Sequence, residues 1–256
     1  MRTVLRGIAV VLLVVGGIGI APVAADEVKV LSAGAVRAIV TELAAEFRRE
    51  TGHTVALSFG TVGQTRQKLG SAEPVDVVIM TDVAIDEAAR QGGVTPGTRA
   101  HIARTGMGVG VRDGAPRPDI GTSAAFKDAL LQARSIVYVD PAQGATSGIH
   151  FKGILERLDI ADAVKGKTIL VPGGYPAEKV ASGDAELVVH QISEIVPVKN
   201  VVLVGPLPPD LQKVTVYSAG LAARTSSPDA ARAFVAFITR PAFKPKFAAA
   251  GLDYQQ

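Results

Sequence analysis

Near its start the chain twice repeats one order of residues: an apolar, β-branched stretch, a turn of small residues, then apolar positions at helical spacing. Residues 27–31 read as a strand, Ser32-Ala33-Gly34-Ala35 as the turn, and 36–50 as a helix with Val36, Ile39, Val40, Leu43, Ala44 and Phe47 on one face. Residues 55–59, Gly60-Thr61-Val62-Gly63 and 64–69 repeat the order, and a third strand over 75–80 leads into a helix over 83–91. Strands joined through helices run parallel, and a parallel sheet needs helices on both faces. The third strand is apolar except at Asp76, as a strand buried on both sides must be. This order constrains the chain to the α/β class. It also gathers the small turns at the carboxyl ends of the strands, where open sheets take ligands.

After Gly92-Gly93 the pattern changes. Residues 105–111 form an extended run broken by glycine, 113–118 are rich in Pro and Gly, and a second strand and helix series fills 123–189. Further strands are predicted over 201–204 and 214–223, and two helices, 228–239 and 241–249, close the chain. The expected organisation is two lobes with a discontinuous boundary, 26–108 with 221–256 in the first and 109–220 in the second. Two crossing strands then form a hinge for closure on a ligand.

The N-terminus points to a compartment. Arg2 and Arg6 precede an apolar run over 8–20, and Ala21-Pro22-Val23-Ala24-Ala25 makes a small-residue exit before Asp26-Glu27. This is the pattern of a secretory signal peptide over 1–25, and its apolar part is shorter than the roughly 20 residues of a spanning helix. It predicts a periplasmic protein. Cleavage after Ala25 would leave 231 of the 256 residues and bring the net charge from +3 to about +1. That balance argues against nucleic acid as a partner. Without cysteine, and with four scattered histidines, no disulfide, metal or other cofactor is expected. Aromatic residues are few and tryptophan is absent, which disfavours a sugar site built on stacked rings.

Four loops are expected to converge on a cleft: 32–35, 60–62, 144–148 and 190–193, with 173–175 as a possible fifth. Helix N-termini present unpaired N–H groups and partial positive charge, and small residues admit a ligand to the backbone. The candidate ligand contacts are Ser32, Gly34, Ala35, Thr61, Val62, Ser147, Gly148, Tyr175, His190 and Gln191. The plainer alternative is a set of ordinary capped turns, since Ser and Thr favour that position anyway. Arg37 and Arg66 are candidate carboxylate clamps, with a surface position the plainer reading; Glu194 is a candidate base that reads first as a solvent-facing helix residue.

Several segments resemble the periplasmic molybdate-binding proteins: Val30-Leu31-Ser32-Ala33-Gly34-Ala35 before a helix, Phe59-Gly60-Thr61-Val62-Gly63, Glu73-Pro74-Val75-Asp76-Val77-Val78, Asp140-Pro141 with Ser147-Gly148, and Ala181-Ser182-Gly183-Asp184-Ala185. The resemblance covers essentially the whole mature chain and implies a type II periplasmic-binding fold, with a ligand cleft between two lobes. It implies a receptor for a small anion, delivered to an ABC-type transporter. This chain departs from that family's ligand set. Ala35 stands where a serine binds the ligand, Thr61 and Val62 replace two adjacent serines, Ser147 replaces a small apolar residue, and His190 beside Gln191 replaces a tyrosine. An organic anion, a carboxylate, suits the altered set better than molybdate. Ser32-Ala33-Gly34-Ala35-Val36, Thr146-Ser147-Gly148-Ile149-His150-Phe151 and Gln191-Ile192-Ser193-Glu194-Ile195 resemble a branch that includes an aconitate isomerase. That implies the alternative of an intramolecular isomerase moving an allylic proton, with His190, His150 and Tyr175 as candidate catalytic residues. Histidine is the natural candidate for a base because its ordinary pKa is about 6.5.

Overall fold

The computed structural model describes residues 25–254. The expected signal segment lies outside them except for Ala25. The chain begins with β1 (Glu27–Ala33), a 3-10 turn (Gly34–Val36), α1 (Arg37–Thr51), β2 (Thr54–Gly60), α2 (Val62–Leu69), β3 (Val77–Thr81), α3 (Asp82–Arg90) and β4 (Ala100–Thr105). It continues through β5 (Met107–Arg112), α4 (Ser123–Gln132), β6 (Ile136–Val139), α5 (Thr146–Arg157), α6 (Ala161–Lys165), β7 (Thr168–Val171), α7 (Ala177–Ser182), β8 (Leu187–Gln191) and β9 (Val201–Pro206). It ends with β10 (Thr215–Leu221), α8 (Pro228–Ile238), α9 (Lys244–Ala249) and β11 (Asp253–Tyr254).

These strands form two sheets, ordered β11-β4-β10-β3-β1-β2 and β7-β6-β8-β5-β9. In the first, β1 pairs parallel with β2 and β3, and β10 runs antiparallel between β3 and β4. In the second, β6 pairs parallel with β7 and β8, and β5 runs antiparallel between β8 and β9. The two-lobed α/β architecture of the type II binding fold is therefore present. The sheets change at Gly106 and again between Pro206 and Thr215. The expected boundary at 108/109 falls inside β5 and that at 220/221 at the end of β10, so we propose that the lobes follow the sheets instead. The expected boundary divides the strand over 214–223, whereas the hydrogen bonds of β10 join all of it to β3 and β4 of the first sheet.

Both sheets are covered on two faces. In β3, Val77 and Ile79 face the core beneath α1 and α8, whereas Val78 and Met80 face that beneath α3. The unbroken Val-Val-Ile-Met run reflects this burial. α1 lays Ile39, Val40, Leu43, Ala44 and Phe47 into the first core, and the Phe47 ring meets Phe234 and Phe237 of α8 edge-on. Gly52, at φ 81°, ends α1 in a left-handed turn that most side chains resist. Asp76 sits just before β3 and accepts bonds from Lys29 N, Thr225 Oγ1 and the Ser226 and Ser227 amides. Burial opposes its charge, but these bonds outweigh burial and hold its carboxyl below the usual value. Asp76 thereby ties the entry of α8, whose own cap residue Ser227 makes no side-chain cap, to the first sheet.

Candidate functional site

The turns after β1, β2, β6 and β7, the end of β8 and the face of β10 meet at a narrow cleft. From the sequence candidates the structure brings Gly34, Ala35, Thr61, Val62, Ser147, His190 and Gln191 to this lining. Ser32, Gly148 and His150 lie outside it. The Ser32 hydroxyl donates to Ala33 O at 3.1 Å from a fully buried position. Gly148 is a packing residue, since a Cβ there would stand 2.2 Å from Val139 O. His150 turns its Nε2 to Leu211 O, 2.8 Å away. Tyr175 stands behind the lining, its ring against the Arg37 guanidinium.

Besides the start of α1 at Arg37, the starts of α2 and α5 line the cleft, and these two differ. Thr61 caps α2: its hydroxyl accepts from Gln64 N at 3.1 Å, and Gln64 Oε1 accepts from Thr61 N at 3.0 Å. The Thr61 hydroxyl also donates across the cleft to Gln143 O. α5 is capped by no side chain, because its N-cap is Ala145. The first N–H groups of such a helix have no partner within the helix. The Ser147 hydroxyl makes no hydrogen bond among the described residues and lines the cleft beside them.

The rim above α2 is closed by backbone contact. Gly63 N donates to Gly144 O at 3.2 Å, and Gln64 Nε2 reaches Gln143 Oε1 at 3.3 Å and Pro172 O at 3.2 Å. A Cβ on Gly63 would stand 2.7 Å from Gln143 O. One on Gly144 would stand 2.7 Å from Gly63 Cα, at a φ of +67° that already favours glycine.

At the base of the cleft lie groups that sequence reasoning had put at the surface or had not singled out. Arg37, at the start of α1, lines the cleft, and its guanidinium sits 4.4 Å from the Phe59 ring centroid and 5.6 Å from that of Tyr175. Glu194, expected on a solvent-facing helix, is 6 % exposed. It ends a single 3-10 turn (Ile192–Glu194) that packs against the Gly34–Val36 turn of the other lobe. A Cβ on Gly34 would meet Glu194 Oε1 at 2.7 Å, so the glycine makes room for the carboxyl. Tyr217, on β10, places its hydroxyl 2.7 Å from Gln191 Nε2 and 2.9 Å from Gln191 Oε1, a buried contact between the sheets. Arg66 pairs with Glu87 at 2.7 Å, away from the cleft.

Burial sets the protonation states. It pushes the Glu194 carboxyl up to about 8, with Arg37 pulling the other way. It pushes His190 down to about 3. Tyr175 is raised to about 12 by burial and then by Glu194. Tyr217 is raised by the same two causes. Near neutral pH, His190 and Glu194 are therefore both mainly uncharged, and the 3.4 Å between His190 Nδ1 and Glu194 Oε2 is not an ion pair. His190 Nδ1 accepts from Gln191 N at 2.7 Å, which puts the ring proton on Nε2. That Nε2 is buried without a hydrogen-bond partner among the described residues.

Residues 28–253 match the family model of the bacterial extracellular solute-binding proteins. The chain belongs to that family. It is 32 % identical over 215 residues to an aconitate isomerase from a Pseudomonas species, covering 82 % of this chain and 80 % of that protein. It is 23 % identical over 228 residues to the molybdate-binding protein ModA of Mycobacterium bovis, covering 85 % and 81 %. The solved periplasmic molybdate-binding protein of Azotobacter vinelandii shares its fold, with a TM-score of 0.73 at 22 % identity over 90 % of this chain and 100 % of that one. Among the described residues of this solute-binding protein no helix is long and apolar enough to cross a membrane.

Proposed function

We propose that the protein is a periplasmic isomerase of the aconitate type, which holds a small tricarboxylate between its lobes and moves a proton across the ligand's allylic system. The observation that carries this reading is Glu194, a buried carboxyl in the cleft with its pKa raised to about 8. A proton-transfer group works best with a pKa near the working pH. Ionised Glu194 takes a proton from the methylene carbon, the electron pair shifts the double bond by one carbon, and the carboxylic acid so formed returns a proton to the former vinylic carbon. One proton leaves and one arrives, so substrate and product are isomers. Arg37 and the uncapped start of α5 supply positive potential for the ligand's carboxylates. His190 serves as a donor through its Nε2–H; with Nδ1 occupied and its pKa pushed down, it is poorly suited to the role of base first expected of it. His150, tied to Leu211 O outside the lining, has no part in this scheme. The similarity to an aconitate isomerase supports the same reading.

Proton NMR of the mature protein with trans-aconitate in deuterated buffer tests it. The expected result is growth of cis-aconitate signals with deuterium entering the methylene carbon. Glu194→Gln should lower turnover by about 10²–10⁴-fold while ligand still binds. Because only the ionised carboxyl accepts the proton, turnover should rise with pH toward about 8 and level off above it. Full turnover in Glu194→Gln would remove it as the base.

The family match and the closed rim favour a second reading, a receptor that delivers a small carboxylate to an ABC-type transporter. A receptor returns its ligand unchanged, so the same NMR experiment separates the two.

A further inference from the structure

We infer that Arg37 is the specificity-determining residue of this cleft, restricting it to ligands with a carboxylate for Arg37 beside the anionic group held at α5, and that Phe59 and Tyr175 position its guanidinium. The inference rests on the tricarboxylate reading and names the group that selects the substrate class. Among the described residues Arg37 is the one cationic side chain in the cleft lining. Arg66, Arg99, Arg134 and Arg240 each have a carboxylate partner, at 2.7, 2.7, 3.0 and 2.8 Å. Arg37 has no hydrogen bond or ion pair from its side chain among the described residues, and its Nε is buried without a partner. A partly buried guanidinium with no carboxylate at hydrogen-bond distance is costly, and a ligand carboxylate can accept from its planar donors.

The two rings come from different lobes. Phe59 belongs to β2 in the first sheet, and Tyr175 precedes α7 beside the second. The position of Arg37 therefore depends on the lobes being together. The start of α5 belongs to the second lobe and Arg37 to the first. A ligand that satisfies both carries negative charge toward each lobe, as di- and tricarboxylates do. A compact oxyanion needs only the backbone donors.

Isothermal titration of the mature protein with tricarballylate (a saturated tricarboxylate that cannot isomerise) and with molybdate tests this. The quantity read is the ratio of the two affinities, which a merely structural role of Arg37 would not move. Arg37→Gln is expected to weaken tricarballylate by at least about thirty-fold while molybdate changes less than about three-fold. Arg37→Lys, which keeps the charge but loses the fork, should fall between. Tyr175→Phe should keep the wild-type ratio and Tyr175→Ala should lower it, since the ring and not the hydroxyl positions Arg37. Thermal melts check that each variant is folded. An unchanged ratio in both Arg37 variants overturns the inference and leaves the tricarboxylate reading standing. Failure of the wild-type protein to bind tricarballylate defeats that reading first, and the inference with it.

Discussion

The turns that open α2 and α5 look alike in the sequence: each is a run of small residues with a threonine just before or at the start of a helix. Their roles differ by one position. Thr61 is the N-cap of α2, so its hydroxyl and the Gln64 side chain satisfy that helix from within. Thr146 is already the first residue of α5, and the N-cap is Ala145, which has nothing to offer. One helix start has been sealed and tied across the rim to Gln143; the other is left open toward the cleft. A helix N-terminus is an anion site only where the chain has not already capped it.

Substitutions that alter one turn and spare the other probe this contrast. The largest effect is expected at the sealed rim. Gly144→Val puts a branched side chain at positive φ against Gly63 and should hold the lobes apart. If closure becomes less favourable by about 3 kcal/mol, apparent affinity for tricarballylate falls roughly 100-fold. Small-angle scattering should show a larger radius in saturating ligand, and an unchanged affinity would exclude the rim from the liganded form. A smaller effect is expected at the open start. Ala145→Asp gives α5 the kind of cap that α2 has; stability should rise by about 1 kcal/mol in denaturant titrations while ligand binding weakens roughly ten-fold, because a fixed negative charge now occupies the helix end. The smallest pair separates the two hydroxyls. Ser147→Ala should weaken binding about five-fold with little change in stability, the loss of one hydrogen bond to ligand. Thr61→Val should lower stability by about 1 kcal/mol. The reverse pattern would mean that the two turns have been assigned the wrong way round.

Much of the fold was legible because burial on both sheet faces leaves unbroken apolar strands, as in β3, and one-faced helices, as in α1. β4 was missed as a strand of its own: His101 and Arg104 point outward and interrupt its apolar character. The loops of the cleft were also legible, since small residues ahead of helices mark the carboxyl ends of parallel strands. The charged groups inside it were not. Arg37 and Glu194 are ordinary surface residues by type and local spacing, and both were first read that way. Nothing near Tyr217 in the sequence marks it as a cleft residue; it arrives on a strand that returns from the second lobe to the first sheet.

The residues alone therefore determined the α/β class, the strand and helix order and the set of turns from which a cleft is built. These follow from periodicity, glycine placement and capping, which are properties of neighbours along the chain. Only the tertiary structure decided which helix start is left uncapped in the cleft and which carboxyl is buried there. Gly34 and Glu194 meet across the lobes, as do Arg37 and Tyr175, Gly63 and Gly144, and Gln191 and Tyr217. Desolvation of Glu194 and the placement of Arg37 between Phe59 and Tyr175 are consequences of those meetings, and no local pattern encodes a contact between segments so far apart in sequence.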